Sequence, residues 1–141
     1  MMTLRIRQNL LEEVYAHAVQ TYPEECCGFL LGRGDQDRII SATLPAKNSS
    51  HNSRKTRYVI DPAEIMKCER DANAKGLSIL GYYHSHPDHP AVPSEFDRKN
   101  AWPSYSYLIV SVMLGSIAGV RSWRLSEDAA KFVNETVENE A

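Results

Sequence analysis

The sequence predicts an α/β domain built on a curved sheet that is mixed or mostly antiparallel. Two segments, residues 8–21 and 61–75, carry apolar residues at the spacing of one helical face. Short apolar runs lie before, between and after these segments, and two of the runs flank a turn-forming stretch. The resulting order of strand, helix, hairpin, strand, helix and three further strands is typical of a single α/β domain.

The N-terminal segment predicts a short strand followed by the first helix. Leu4 and Ile6 alternate with charged residues, as on a half-buried strand. The helix follows over about residues 8–21, and Pro23 marks its end. Its inner stripe consists of Leu10, Val14 and Ala18.

A hairpin is predicted next, from two apolar runs and the residues between them. The run 27–31 ends at Gly32, and the turn-forming residues 34–37 separate it from the returning run 38–44. Both runs are of strand length, so they predict the second and third strands.

Glu25 lies at the entrance to the second strand, beside two adjacent cysteines. Its carboxylate is either a solvated loop group or faces a neighbouring strand end. Cys26 and Cys27 point to opposite faces of such a strand, so we do not expect both to bind one ion. Cys27 is expected in the core, and the role of Cys26 is left open.

The middle of the chain predicts a long loop, a short strand and the second helix. Residues 45–57 are polar, basic and aperiodic, and they predict either a mobile surface loop or a flap that receives an acidic or extended substrate. Residues 58–60 predict a short strand. Asp61 and Pro62 then supply the N-cap and a first-turn proline of a helix that Gly76 ends.

The C-terminal part predicts two strands and an acidic tail. Residues 105–114 are apolar on both alternations, as in a strand buried on both faces, and residues 120–125 predict the last strand. We therefore place the domain at residues 1–125. Residues 126–141 are interpreted as an acidic tail that forms a frayed helix, with one face made by Ala129, Val133 and Val137.

The composition is that of an ordinary globular domain. A chain of 141 residues, 43% of them hydrophobic, can bury a core without disulfide bonds. The net charge of -2 gives no electrostatic reason to expect nucleic acid or an anionic membrane as a partner. Three cysteines predict no disulfide framework, and the N-terminus lacks the apolar core of a signal peptide. We therefore expect a cytoplasmic protein.

The segment 81–97 carries the residues with the clearest chemistry. A buried strand is predicted to end at His84 and His86, which point to the same face because residues i and i+2 of a strand do so. Three prolines then end the strand, and residues 94–97 predict the first turn of a helix. Two imidazoles and the carboxylate of Asp97 that converge in this way predict a three-ligand zinc site with a position open to water, the pattern of catalytic zinc.

A structural role is the alternative for these residues. In that interpretation the two histidines serve packing alone. Ser94 and Asp97 then form a capping box, in which the hydroxyl accepts a helix N–H and the carboxylate accepts a hydrogen bond from the residue before the helix. By itself the spacing of Ser94 and Asp97 favours the cap. What favours a metal site is the family resemblance carried by the composite of His-x-His-Pro, six residues, Ser-x-x-Asp and the upstream Glu25. The remaining histidines have no ligand spacing; these are His17, His51 and His89.

This combination resembles the JAMM (MPN-plus) zinc metalloproteases, in particular their small stand-alone prokaryotic members, over about residues 3–125. The resemblance implies an MPN domain of the cytidine-deaminase-like type, with its curved sheet flanked by two main helices. It implies one catalytic Zn²⁺ per chain. The implied roles are zinc ligand for His84, His86 and Asp97, general base for Glu25, and oxyanion-stabilising hydroxyl for Ser94.

The resemblance also implies a reaction and a partner. JAMM enzymes hydrolyse a peptide or isopeptide bond after the Gly-Gly tail of a ubiquitin-like protein, and some small members release an amino acid from the C-terminus of a sulfur carrier. Two other functions are weighed against this one. A non-enzymatic MPN scaffold has no physical need for the five residues. RadC-like chains share a similar His-x-His-Pro motif, but the net charge of -2 and the absence of a separate DNA-binding segment count against a RadC-like or other metal-dependent hydrolase. Zinc content and salt-dependent DNA binding distinguish the three.

Overall fold

The computed structural model describes residues 2–126, 128 and 131–140. Within these residues the chain forms seven strands and three helices. In chain order they are β1 (Thr3–Arg7), α1 (Gln8–Thr21), β2 (Cys27–Arg33), β3 (Asp37–Ala46), α2 (Pro62–Ala74), β4 (Ser78–Pro87), α3 (Glu95–Asn100), β5 (Ser106–Met113), β6 (Ser116–Leu125) and β7 (Phe132–Glu140).

The described strands form one mixed sheet that closes on itself in the order β1-β3-β2-β4-β5-β6-β7. β1 runs parallel to both β3 and β7, and β4 runs parallel to β5, whereas the other neighbouring pairs are antiparallel. The prediction of a mixed sheet is confirmed. The prediction of a curved sheet flanked by two main helices is corrected to a closed, barrel-like sheet, because β7 joins β6 back to β1.

The two long helices begin and end where the sequence signals place them. α1 has the predicted bounds. α2 begins after Asp61, whose side chain accepts the backbone N–H of Ala63 at 3.0 Å. The chain leaves α2 at Gly76, whose φ of 74° lies in the left-handed region that glycine tolerates. In the part of the chain that is described, no helix is long and apolar enough to cross a membrane.

Hydrophobic side chains form two clusters. One contains residues of α1 such as Val14, and the other contains residues of α2 such as Cys68. Cys26 belongs to the first cluster and Cys27 to the second, which confirms that the adjacent cysteines point to opposite faces and that Cys27 is a core residue. β4 passes between the two clusters and is buried from Leu80 onward, so its C-terminal end is rigidly held.

Two local predictions about strands are wrong. Residues 58–60 form no strand and continue the loop that follows β3. β6 begins at Ser116 rather than at Val120, because the turn before it is short and uses left-handed conformations at Leu114 and Gly115.

The prediction of a frayed C-terminal helix is also wrong for the residues that the structure describes. Phe132–Glu140 is strand β7, paired with β1 and β6. Val133 and Val137 are four residues apart, and a spacing of four fits both one face of a helix and one face of a strand. Ala129, the third residue of the proposed helical face, lies outside the described residues.

Candidate metal centre and active site

Two buried imidazoles lie at the C-terminal end of β4. His84 is 1% exposed and His86 is 4% exposed. The strand alternation places both rings on one side, as predicted, and their Nε2 atoms are 3.2 Å apart. β4 is fixed here by its neighbours, since His84 pairs with Cys27 of β2 and with Ile109 of β5.

The carboxylate of Asp97 reaches both imidazoles from the first turn of α3. Its Oδ2 atom lies 3.2 Å from Nε2 of His84 and 3.0 Å from Nε2 of His86. The same oxygen accepts the backbone N–H of Ser94 at 2.9 Å, while Ser94 Oγ accepts the backbone N–H of Asp97 at 3.0 Å. The capping box and the His-His-Asp cluster are therefore one structural unit, and the two interpretations of the sequence are compatible.

The dimensions of this cluster fit a zinc ion. Its three ligand-type atoms form a triangle with edges of 3.0–3.2 Å. Tetrahedral zinc with bonds of about 2.0–2.1 Å places neighbouring ligand atoms roughly 3.3 Å apart. His86 Nδ1 lies 2.8 Å from the Pro90 carbonyl oxygen, which can only accept, so Nδ1 carries a proton and Nε2 is the nitrogen that faces the other two ligand-type atoms.

The protonation states of the cluster also suit a metal. Burial disfavours the ionised form of Asp97, but His84, His86 and the Ser94 backbone N–H outweigh burial and hold the pKa of this carboxyl well below its usual value. Burial lowers the pKa of His84 in spite of the opposing effect of Asp97. At neutral pH the cluster therefore offers a carboxylate and a neutral imidazole, which are the forms that bind metal ions.

Glu25 lies two residues before the first residue of β2 and on the same side as the cluster. Cys27 pairs with His84, and in an antiparallel pair one step back on β2 is one step forward on β4. Continued by two residues, the register places Glu25 opposite His86. Opposite residues point to the same face, so the Glu25 side chain shares the face of both histidines.

The carboxyl group of Glu25 is buried without compensation. It is 3% exposed, and its Oε1 atom has no hydrogen-bond partner among the described residues. Burial, together with repulsion from Asp97, raises the pKa of Glu25 to about 9. A buried carboxyl group without partners is costly, and a strongly perturbed group beside potential metal ligands is typical of a functional site.

The hydroxyl of Ser94 keeps its proton available. Its oxygen accepts the Asp97 N–H, which occupies a lone pair of Oγ. A hydroxyl has one donor and two acceptor positions, so this bond does not consume the O–H. Ser94 can therefore cap α3 and donate a hydrogen bond to another group at the same time.

Tyr58 is a site residue that the sequence did not reveal. Its ring stacks on His84, with ring centroids 4.5 Å apart and an interplanar angle of 26°. The sequence assigned it to a short strand, and no local signal shows where the loop carries it. It also lines a cavity of about 190 Å³ next to Asp97, together with other aromatic residues that include Tyr82, Phe96, Trp102 and Tyr107.

The basic loop that follows β3 lies against Glu25. The backbone carbonyl oxygen of Arg54 accepts a hydrogen bond from the Glu25 backbone N–H at 2.7 Å. A cavity of about 470 Å³ lies beside Glu25 and is bordered by His17, Lys47 and Arg54. His17 is partly buried there and forms a 2.7 Å hydrogen bond with the Tyr83 hydroxyl.

The two loop histidines are not part of the ligand cluster. His51 and His89 are exposed, as expected from their lack of ligand spacing. Among the described residues, the group that could hold a metal ion consists of His84, His86 and Asp97 and includes no cysteine.

The chain is similar in sequence to several known proteins and in fold to a solved structure. A probable TtuB-protein conjugate cleaving protease of Thermus thermophilus is 36% identical over 126 residues, which are 89% of this chain and 78% of that protein. A CysO-cysteine peptidase of Mycobacterium tuberculosis is 32% identical over 127 residues, 89% of this chain and 85% of that protein. The solution structure of a Desulfitobacterium hafniense protein superposes with a TM-score of 0.83 at 34% identity, covering 99% of this chain and 93% of that one.

The family comparison agrees with the site. The family model for prokaryotic homologues of the JAB domain matches residues 7–126. This range includes Glu25 and the whole His-His-Asp cluster. This range covers most of the chain. The protein therefore belongs to the prokaryotic JAB-domain family, the small prokaryotic branch of the JAMM/MPN proteins.

Proposed function

We propose that the protein is a zinc-dependent metallopeptidase that hydrolyses a peptide or isopeptide bond after the Gly-Gly tail of a ubiquitin-like or sulfur-carrier protein. The observation that carries the proposal is the convergence of two Nε2 atoms and one carboxylate oxygen within 3.2 Å of one another, beside the buried Glu25. The names of the two relatives support the substrate class, since both refer to bonds made by small carrier proteins.

His84, His86 and Asp97 would hold one Zn²⁺. When bound, zinc would supply a Lewis acid that lowers the pKa of a water molecule toward about 7 and polarises the scissile carbonyl. The three side chains are preorganised for this task, because β4, the Pro90 carbonyl and the capping box of α3 fix them independently of the ion.

Glu25 is assigned the role of general base. Its carboxylate accepts a proton from the attacking water as the bond from water oxygen to carbonyl carbon forms, and it returns that proton to the leaving nitrogen as the C–N bond breaks. The products are a carboxylic acid on the glycine and a free amine. Such proton transfer contributes about 10²–10⁴-fold to the rate. A positive charge at the neighbouring ligands would favour the ionised form of Glu25 that this step requires.

Ser94 and Tyr58 are assigned supporting roles. The free O–H of Ser94 donates to the oxyanion that develops on the carbonyl oxygen, by analogy with oxyanion-hole donors worth about 3–4 kcal/mol each. Tyr58 covers one face of the His84 ring and keeps this imidazole away from bulk water. Neither residue forms a covalent bond with the substrate, so no acyl-enzyme is expected.

The leaving group is proposed to be a single C-terminal residue of a sulfur carrier in preference to a lysine side chain. The cavity of about 470 Å³ beside Glu25 is bordered by the cationic side chains of Lys47 and Arg54 and by Glu24, whose carboxylate pairs with Arg54 at 3.5 Å. A terminal residue carries a free carboxylate, which such cations attract, whereas a lysine side chain in an isopeptide conjugate does not.

The test uses the purified protein, its metal content and two substrates. We expect about one zinc per chain, cleavage of a carrier that ends in Gly-Gly-X, loss of cleavage with a chelator and recovery with added zinc. A carrier joined to lysine through an isopeptide bond is expected to be cleaved more slowly. Full activity after verified metal removal contradicts the mechanism, and salt-dependent DNA binding without peptidase activity supports a RadC-like function instead.

A further inference from the structure

The side-chain amide of Asn48 forms hydrogen bonds both with Glu25 and with the segment that contains Tyr58. Its Nδ2 donates to the Glu25 carbonyl at 3.1 Å and to the Arg57 carbonyl at 2.9 Å. Its Oδ1 accepts the backbone N–H groups of Ser50 at 3.1 Å and of Val59 at 3.2 Å. A primary amide has two donor and two acceptor positions, so these four bonds use its full capacity.

The main chain of Glu25 depends on this loop and not on the sheet. β2 begins two residues later, at Cys27. The Glu25 N–H donates to the Arg54 carbonyl at 2.7 Å, and the Glu25 C=O accepts from Asn48. Both backbone polar groups of Glu25 are therefore held by the loop, so the loop helps to fix the main chain that carries its carboxyl group.

The position of Tyr58 depends on the same amide. Two of the four partners of Asn48, the Arg57 carbonyl and the Val59 N–H, flank Tyr58 directly. The backbone on each side of Tyr58 is thus fixed, and its ring is held on the face of His84 at a centroid distance of 4.5 Å. One side chain therefore connects Glu25 with an aromatic ring that contacts a member of the metal cluster.

We infer that Asn48 is a positioning residue that holds Glu25 and Tyr58 against the His-His-Asp cluster. Residues 47–59 then form a fixed wall of the active site and not a flap that opens on substrate binding. The catalytic consequence rests on the proposed function of Glu25, whereas the positioning itself can be measured in metal-free protein.

The test compares two variants with a matched control. Asn48→Ala removes all four bonds. Asn48→Asp keeps the acceptor for Ser50 and Val59 but loses both donors, and it decides the outcome if the alanine variant fails to fold. Asn52→Ala changes an exposed asparagine of the same loop and serves as the control.

The first readout is spectroscopic and uses metal-free protein. A stacked aromatic ring shifts the NMR signals of the imidazole protons of His84. We expect these signals to move toward unstacked values in Asn48→Ala, and the amide of Val59 to exchange faster with solvent. The control is expected to leave both unchanged. Wild-type shifts and wild-type exchange in both Asn48 variants would overturn the inference.

The second readout is kinetic. Misplacement of a catalytic group by about 1 Å can cost on the order of 10²-fold in rate, so we expect kcat of both Asn48 variants to fall by up to about 10²-fold. KM and zinc content are expected to stay near the wild-type values. In a Glu25→Gln background Asn48→Ala should cost little more, because the base that it positions is already lost.

The outcomes separate the inference from the function on which it rests. A purely structural role for Asn48 predicts the same proportional loss in both backgrounds, and that result overturns positioning. If the wild-type protein cleaves no carrier at all, the proposed function fails, and the NMR and exchange measurements still support or overturn the positioning of Tyr58.

Discussion

Two buried glutamates occupy opposite kinds of environment in this fold. Glu25 at the active site is 3% exposed and Glu135 in β7 is 2% exposed, yet only Glu135 is well satisfied. Its carboxylate pairs with Arg124 and accepts hydroxyl hydrogen bonds from Ser122 at 2.6 Å and Ser106 at 3.2 Å. The two groups differ in partners and not in burial.

The difference indicates that Glu135 stabilises the fold, whereas the unpaired Glu25 fits the catalytic role proposed for it. Arg124, the partner of Glu135, also donates to the Gln36 carbonyl at 3.0 Å, so this network connects β6 and β7 with the turn before β3. Glu25 receives no such support and is left with a raised pKa. The same substitution at the two positions should therefore have opposite effects on stability.

The largest expected effect comes from a third buried carboxylate, Asp97. Glutamine is acceptable at the N3 position of a capping box, so Asp97→Gln should preserve much of a cap that is worth about 1 kcal/mol. Metal-free protein also loses the contacts of the carboxylate with His84 and His86. As a neutral and longer side chain it is a poor zinc ligand, so we expect much weaker zinc binding and essentially no activity.

Metal titration, turnover and thermal melts with and without zinc check this prediction. Glu95→Gln, an exposed change in the same turn, is the control and should keep zinc and activity. Retained zinc affinity and turnover in Asp97→Gln would show that Asp97 is only a cap.

Glu25→Gln should lose about 10²–10⁴-fold in kcat, because the amide cannot accept the proton of the attacking water. Zinc content should be unchanged, since the three proposed ligands remain. Steady-state kinetics and metal analysis measure both, with Glu24→Gln as the neighbouring control. A near-wild-type rate in Glu25→Gln would make Glu25 a bystander and direct attention to Glu24.

Glu135→Gln tests the other side of the comparison. It leaves the buried guanidinium of Arg124 without its counter-charge, and loss of one partner of a buried ion pair costs about 3–5 kcal/mol. Denaturant unfolding of metal-free protein measures the loss. Glu138→Gln on the same strand removes only an exposed ion pair with Arg5 and should cost at most about 1 kcal/mol. Equal effects of the two changes would contradict the structural role assigned to Glu135.

A dependence of stability on pH is also expected in metal-free protein. The pKa of Glu25 is raised from 4.5 to about 9 by folding. The folded state therefore binds the proton more tightly, and the stability contributed by the protonated group is lost as pH rises through this interval.

Glu25→Gln cannot ionise, so its free energy of unfolding relative to wild type should increase as pH rises from about 4.5 to about 9. Thermal or denaturant melts across this range measure the difference. A difference that is constant with pH would show that Glu25 is not buried as a neutral acid.

The sequence predicted the features that rest on local signals. The His-x-His spacing at a strand end, the turn between β2 and β3, and the Asp61 cap each act within a few residues, and the structure contains all three. The positions of the proposed zinc ligands could be inferred for the same reason, since the alternation of a strand and the first turn of a helix fix them.

The features that the sequence did not predict depend on distant contacts. β7 closes the sheet through pairs such as Thr3 with Thr136, which join opposite ends of the chain. Tyr58 and Asn48 lie in an aperiodic loop, where one asparagine among several polar residues carries no mark of its four hydrogen bonds. Only the folded loop shows which side chain organises it.

The shared use of Asp97 Oδ2 by the helix cap and the ligand cluster has an evolutionary consequence. Replacement of Asp97 by asparagine keeps an oxygen that can accept the Ser94 N–H but removes the charge that a metal requires. A lineage can therefore lose catalysis in one mutational step without losing the helix that frames the site. Inactive descendants with an intact fold are readily accessible from such an enzyme, and they remain available for recruitment to other tasks.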